Sequence, residues 1–264
     1  MAPHVDDSGW CVIDCRFSLN DTERGRRDYF ASHVPNSLYA HLDDDLSGTV
    51  VAGKTGRHPL PSPEKFAATL EQWGIGPSVS VVVYDDCDSS IAARLWWMLR
   101  WMGHPLALVL DGGWAAWVEM GGTTTDKPGR RQPRIYQVEP DSSMLAGSGE
   151  VAEIQPDSGW LLIDSRAGER FRGETEPVDP VAGHIPGAIN APFMANLDPH
   201  GHLLPAATLR SRFREILGEV EPGQAVFYCG SGVTAAHNLL ALAVAGIQGA
   251  RLYAGSWSEW ITDP

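Results

Sequence analysis

One ordered set of short motifs occurs twice in this chain, and that repetition limits the fold more than any other feature. Trp10-Cys11-Val12-Ile13-Asp14-Cys15-Arg16 returns as Trp160-Leu161-Leu162-Ile163-Asp164-Ser165-Arg166, and Ser32-His33-Val34-Pro35-Asn36-Ser37 as Gly183-His184-Ile185-Pro186-Gly187-Ala188. Further on, His58-Pro59-Leu60-Pro61 matches His202-Leu203-Leu204-Pro205, Val82-Val83-Tyr84 matches Val226-Phe227-Tyr228, and Gly113-Trp114-Ala115-Ala116-Trp117 matches Ser256-Trp257-Ser258-Glu259-Trp260. Order is preserved throughout, so the chain is a duplicated domain.

Each copy reads as strand, irregular segment, helix, strand, turn, helix, short strand and Trp-rich helix. Val79 to Tyr84 is a nearly continuous β-branched run, as a parallel strand buried on both faces requires. Helical spacing covers 64–73, opened by Pro63, and 92–102; its counterparts are 209–217 and 235–245. Strands alternating with helices predict an α/β fold in which each copy is a mainly parallel sheet flanked by helices. The expected domains are 1–125 and 143–264. Residues 126–142 read as a linker, because Thr123 to Arg134 is rich in Thr, Pro, Gly and Arg.

At 264 residues the chain has ample length for such cores, and its net charge of -13 argues against nucleic acid or an anionic membrane as partner. The Met1-to-Asp7 stretch shows no basic region followed by an apolar run, so a cytoplasmic location is expected. Four cysteines, Cys11, Cys15, Cys87 and Cys229, include no C-x-x-C pair. A disulfide framework and structural zinc are both poor fits.

Chemistry is expected where the copies diverge. Aligning Tyr84 with Tyr228 sets Asp85 opposite Cys229. The second turn, Cys229-Gly230-Ser231-Gly232-Val233-Thr234, presents a thiol to backbone N–H groups and a helix N-terminus, which favour an anion and lower a thiol pKa. An aspartate there cannot act as a sulfur nucleophile, so the first copy reads as inactive. The shared Asp14/Arg16 and Asp164/Arg166 pairs read as structural, and the Trp pairs as packing anchors.

The tandem repeat, the paired His-(Val/Ile)-Pro segments and the Cys-x-x-Gly-Val-Thr turn resemble the two-domain rhodanese-type sulfurtransferases, over essentially the whole chain. The Cys229-to-Thr234 loop is similar to that of the 3-mercaptopyruvate type, whereas thiosulfate-preferring members commonly carry basic residues after the cysteine. The resemblance implies two tandem rhodanese-like domains. It implies a small anionic sulfur donor, a Cys229 persulfide held by N–H groups from Gly230, Ser231, Gly232, Val233 and Thr234, and a thiol, thioredoxin-like dithiol or cyanide acceptor. No cofactor is implied. It further implies a hydrogen-bonded relay of Ser231, His58 and Asp43, and an anion-binding Arg170, with Arg172 a weaker candidate. Asp43 also fits a solvated acidic run, Asp43-Asp44-Asp45, and His58 simple packing beside Pro59. One departure stands out. Mercaptopyruvate-type members carry a second arginine in a Glu-Pro-x-Arg-like segment, but here Glu176-Pro177-Val178-Asp179-Pro180 is shorter and has none. Thiosulfate therefore stays open as donor, as does a persulfide carrier or sensor without turnover.

Two motifs read as decoys. Gly48-Thr49-Val50-Val51-Ala52-Gly53-Lys54-Thr55 satisfies the P-loop pattern, yet no strand precedes it and Gly56-Arg57-His58-Pro59 follows where a long helix should start. His200-Gly201-His202 lacks a third ligand nearby, so no metal is expected. Cysteine phosphatases also hold a thiolate in such a turn, but they need an arginine where this chain has Ala235.

Overall fold

The computed structural model describes residue 4 and residues 7–137, 139–154 and 159–262. The stretch read for a targeting segment lies mostly outside the described residues. Two compact units emerge, one of Met1–Gly48 with Pro61–Asp141, the other of Thr49–Leu60 with Ser142–Pro264.

The first unit holds β1 (Trp10–Asp14), α1 (Arg24–Ala31), β2 (Leu38–Tyr39), α2 (Pro63–Gln72), β3 (Ser80–Tyr84), α3 (Ser90–Trp101), β4 (Ala107–Val109) and α4 (Gly113–Glu119). Its four strands are all parallel, in the order β2-β1-β3-β4. The second unit holds α5 (Ser148–Glu153), β5 (Leu161–Asp164), α6 (Gly168–Phe171), β6 (Ile189–Asn190), α7 (Ala206–Leu217), β7 (Ala225–Tyr228), α8 (Thr234–Val244), β8 (Arg251–Leu252) and α9 (Ser256–Trp260). Its sheet repeats the pattern as β6-β5-β7-β8, again all parallel.

Local chemistry accounts for these elements. Ser62 caps α2 by accepting the Lys65 N–H (3.2 Å), with Pro63 in the first turn. All four residues of β7 are buried, and so is most of α8, which explains their apolar character on every face. Central strands β5 and β7 end at Asp164 and Tyr228, and ligand sites in open parallel sheets form outside such carboxyl ends.

The segments read as irregular hold more order than expected. Each contains a short helix, α1 or α6, and a two-residue edge strand, β2 or β6. In α1 only Gly25 and Tyr29 are buried and no side chain caps its start, so it carries little apolar periodicity. Within the stretch read as a linker, backbone bonds tie the chain to the first unit: the Gly129 N–H donates to Ser37 O (3.2 Å), Arg134 to Glu71 O (3.0 Å) and Asp141 to Trp101 O (2.8 Å). Thr49–Leu60, which lies within the first copy in sequence, groups with the second unit. Within it the P-loop-like stretch is a tight turn closed by the Lys54 and Thr55 N–H groups on Val51 O (both 3.0 Å).

The repeated motifs have one shared structural purpose. In each unit the Asp-x-Arg pair is a buried fork: Arg16 Nη2 meets Asp14 Oδ2 at 2.7 Å, and Arg166 Nη2 meets Asp164 Oδ2 at 2.6 Å. The same guanidiniums donate to Ser32 O and Gly183 O (both 2.6 Å), fastening the His-(Val/Ile)-Pro segment. Tyr84 and Tyr228 accept the N–H groups of Val34 (3.2 Å) and Ile185 (3.1 Å). Trp114 and Trp257 lie against the two arginines, at 4.4 and 5.1 Å from ring centroid to guanidinium carbon. Among the described residues no helix is long and apolar enough to cross a membrane.

Candidate active site

Cys229 follows the last residue of β7 and is buried, with 2% of its surface exposed. Its backbone is pinned at both ends. The Cys229 N–H donates to Ser256 Oγ (3.0 Å), while its carbonyl accepts from the Trp257 N–H (3.0 Å). Ser256 is buried at φ +56, a conformation that suits glycine, and glycine (Gly113, φ +55) stands at the matching place in the first unit. The hydroxyl that anchors Cys229 justifies the serine there despite the strain.

Burial pushes the Cys229 thiol up, but hydrogen bonds to its sulfur from the Thr234 hydroxyl and from the Ser231 and Ala235 N–H groups outweigh that. The net result is a thiol held below its ordinary range. Thr234 opens α8, so the helix N-terminus adds its partial positive charge. Of the expected cradle, Ser231 and Thr234 face the sulfur, and Ala235 joins them through its N–H. Gly232 serves the backbone: it sits at φ +75, and a Cβ there would come 2.3 Å from Ala254 O.

Ser231 has a second role. Its hydroxyl lies 2.8 Å from His58 Nδ1, and both residues are buried. The His58 imidazole, the Ser231 hydroxyl and the Cys229 thiol are thereby joined within one unit through Ser231, whose N–H faces the sulfur. Asp43 belongs to the other unit, where its backbone N–H donates to His41 Nδ1 (3.2 Å).

Two guanidiniums overhang the turn. A Cβ built on Gly230 would lie 3.0 Å from Arg57 Nη2 and 3.6 Å from Arg170 Nη2. Arg170 is held by Glu176 (2.7 Å) and Asp179 (3.2 Å), and Arg57 by Asp179. Burial draws the Arg57 guanidinium's pKa downward, with the Cys229 sulfur among the charges opposing that. Arg172 is exposed and paired with Glu174 (2.7 Å), a solvated contact. Sequence reasoning picked Arg170 but passed over Arg57, although it stands directly before His58. It also passed over Ser256, whose signal was a serine replacing the first copy's glycine.

Arg57 and His58 owe their position to a close approach at Gly56. A Cβ there would fall 2.5 Å from Gly255 O and 2.7 Å from Ser258 Oγ, the latter accepting the Arg57 N–H (3.1 Å). Gly56→Ala should shift both side chains and, in the sulfur transfer that the sequence resemblance implies, lower kcat/KM by about tenfold to a hundredfold, since reacting groups tolerate little displacement. Steady-state kinetics beside a thermal melt would check this; wild-type kinetics would refute it.

The first unit's turn carries a carboxylate where the second carries the thiol. The Asp85 carboxylate is buried and accepts four backbone N–H groups, from Cys87 (3.0 Å), Ser89 (2.9 Å), Ile91 (2.8 Å) and Ala92 (2.8 Å). The anion cradle persists there, filled by the chain's own carboxylate. Arg24 is likewise taken up by Asp86 (2.7 Å). Burial pushes the Cys87 thiol well up, which leaves it a poor nucleophile. His200 and His202 turn their N–H groups to Asp198 Oδ1 (2.8 and 3.0 Å), and no group of three metal-ligating residues occurs among the described residues.

Comparison with known proteins agrees with this architecture. The rhodanese-like domain family matches residues 2–120 and again 148–263. A Pseudomonas aeruginosa protein described as a probable 3-mercaptopyruvate sulfurtransferase is 46% identical, over 100% of this chain and 93% of its own. The rat thiosulfate sulfurtransferase is 33% identical over 94% of this chain and 84% of its own. Among solved structures, SseA from Escherichia coli, a 3-mercaptopyruvate sulfotransferase, superimposes with a TM-score of 0.83 at 30% identity, covering 98% of this chain and 96% of that one. The chain belongs to the rhodanese family, as a tandem two-domain member.

Proposed function

We propose that this protein is a sulfurtransferase that takes sulfur from 3-mercaptopyruvate, and more slowly from thiosulfate, onto Cys229 and passes it to a thiol, a dithiol or cyanide. The observation that carries the reading is the Cys229 sulfur facing the N–H groups of Ser231 and Ala235 and the Thr234 hydroxyl, with the Ser231 hydroxyl on His58. The Cys229 thiolate attacks the donor sulfur, whose bond to carbon or to sulfite sulfur breaks. The resulting persulfide keeps its negative charge among the same donors, which need no reorganisation as charge moves onto the outer sulfur.

The two donors make different demands. Thiosulfate dianion leaves as sulfite dianion, and no proton moves. Mercaptopyruvate carries a proton on sulfur and leaves as an enolate that must gain one on carbon. A buried Ser231–His58 pair suits that transfer, which is why mercaptopyruvate is placed first. Arg57 and Arg170 suit the donor's carboxylate. Arg57 thereby offers the second guanidinium that the Glu176-to-Pro180 segment lacks. Asp43 completes the relay on the strength of the sequence resemblance.

The test compares kcat/KM for both donors, each with cyanide and with a dithiol acceptor. Multiple turnovers with mercaptopyruvate favoured are expected. A single stoichiometric release of pyruvate without turnover would make the protein a carrier instead.

A further inference from the structure

Asp179 occupies a revealing position. It stands in the Glu176-Pro177-Val178-Asp179-Pro180 segment, which carries no arginine of its own and instead places a carboxylate beside two arginines from elsewhere in the unit. Its side chain is buried, with 3% exposed, and one carboxylate spans both guanidiniums, Oδ1 on Arg57 and Oδ2 on Arg170 (3.2 Å). The loop is built to aim it. Glu176 Oε1 accepts the N–H groups of Val178 (3.1 Å) and Asp179 (3.0 Å), and prolines flank the pair on both sides. The Trp257 indole then fixes the following Val181 carbonyl (2.9 Å). Charges alternate along one line: Asp164, Arg166, Glu176, Arg170, Asp179, Arg57. The two arginines over the turn are therefore fully balanced by Glu176 and Asp179, and an incoming anion meets no net positive charge there.

We infer that Asp179 sets the charge of the accepted donor, holding Arg57 and Arg170 over Gly230 while disfavouring dianions. This rests on the sulfurtransferase reading above. A fixed negative charge repels a ligand in proportion to the ligand's own charge. Thiosulfate carries two negative charges and mercaptopyruvate with its thiol protonated carries one. Asp179 thereby penalises thiosulfate twice as strongly on a logarithmic scale, and the site favours a monocarboxylate whose single charge two polarised guanidiniums can share.

Asp179→Asn keeps the side-chain volume and removes the charge, with one acceptor oxygen left for the two guanidiniums. Its kcat/KM should rise by about tenfold for mercaptopyruvate and about a hundredfold for thiosulfate, so the ratio shifts about tenfold toward the dianion. An unchanged ratio, or an equal fall for both donors, would reduce Asp179 to a structural tie and overturn the inference. Anion binding tests it without turnover: sulfate and acetate should each protect Cys229 from alkylation, and the substitution should strengthen sulfate protection more than acetate protection. Equal changes would count against the inference. Failure of the wild type to turn over either donor would instead sink the sulfurtransferase reading, while the protection assay would still judge Asp179.

Discussion

Cys229→Ser should lower sulfur transfer from either donor by roughly a thousandfold or more, because a hydroxyl at this place stays protonated and forms no persulfide. The substitution is nearly isosteric, and the bonds that hold residue 229 run through its backbone to Ser256 and Trp257. The melting temperature should therefore stay close to that of the wild type, which separates lost chemistry from lost fold. The pH dependence has a definite sign. Three hydrogen bonds hold the Cys229 pKa below its ordinary value, so its thiolate is populated from below the usual thiol range upward. Its alkylation rate should climb with pH to a midpoint lower than that of free cysteine, and fall away as pH drops through that midpoint. Thr234→Val removes the hydroxyl donor and should move the midpoint upward. An unmoved midpoint would remove Thr234 from the sulfur's surroundings.

His58→Ala should separate the two donors. Mercaptopyruvate turnover is expected to fall by roughly a hundredfold or more, the usual size of a lost general acid–base contribution. Thiosulfate turnover should change by less than about tenfold, since sulfite departs without a proton and only the packing around Ser231 suffers. The imidazole–hydroxyl distance of 2.8 Å makes the pair competent without rearrangement. Parallel kinetics with both donors decide the point. Equal losses would mean that His58 only supports the turn through Ser231.

Much of this was legible from residues alone. The duplication exposed both sheets, because long buried strands such as Val79 to Tyr84 and the Ala225-to-Tyr228 run announce themselves by composition. The divergence of the two turns was legible too, since an aspartate opposite a cysteine is a change of chemistry rather than of packing. What stayed hidden depended on neighbours distant in sequence. Arg57 is an ordinary loop arginine until Gly56 packs against Gly255 and Ser258. In sequence Asp179 is one residue of a segment notable for lacking an arginine, and its part in the site appears only when its two oxygens are seen on Arg57 and Arg170. Ala235, used in sequence only to exclude phosphatases, contributes through a backbone N–H that no side-chain motif records. Helices such as α1 escaped because so few of their residues are buried.

The central claim is that a single sulfur, Cys229 Sγ, receives the transferred atom. Protein mixed with equimolar mercaptopyruvate and no acceptor should release one pyruvate per chain and gain one sulfur atom, mapped by peptide mass spectrometry to Cys229. Cyanide should then remove that sulfur as thiocyanate. Pyruvate release with the added sulfur on Cys11, Cys15 or Cys87, or with no added sulfur at all, would contradict the account.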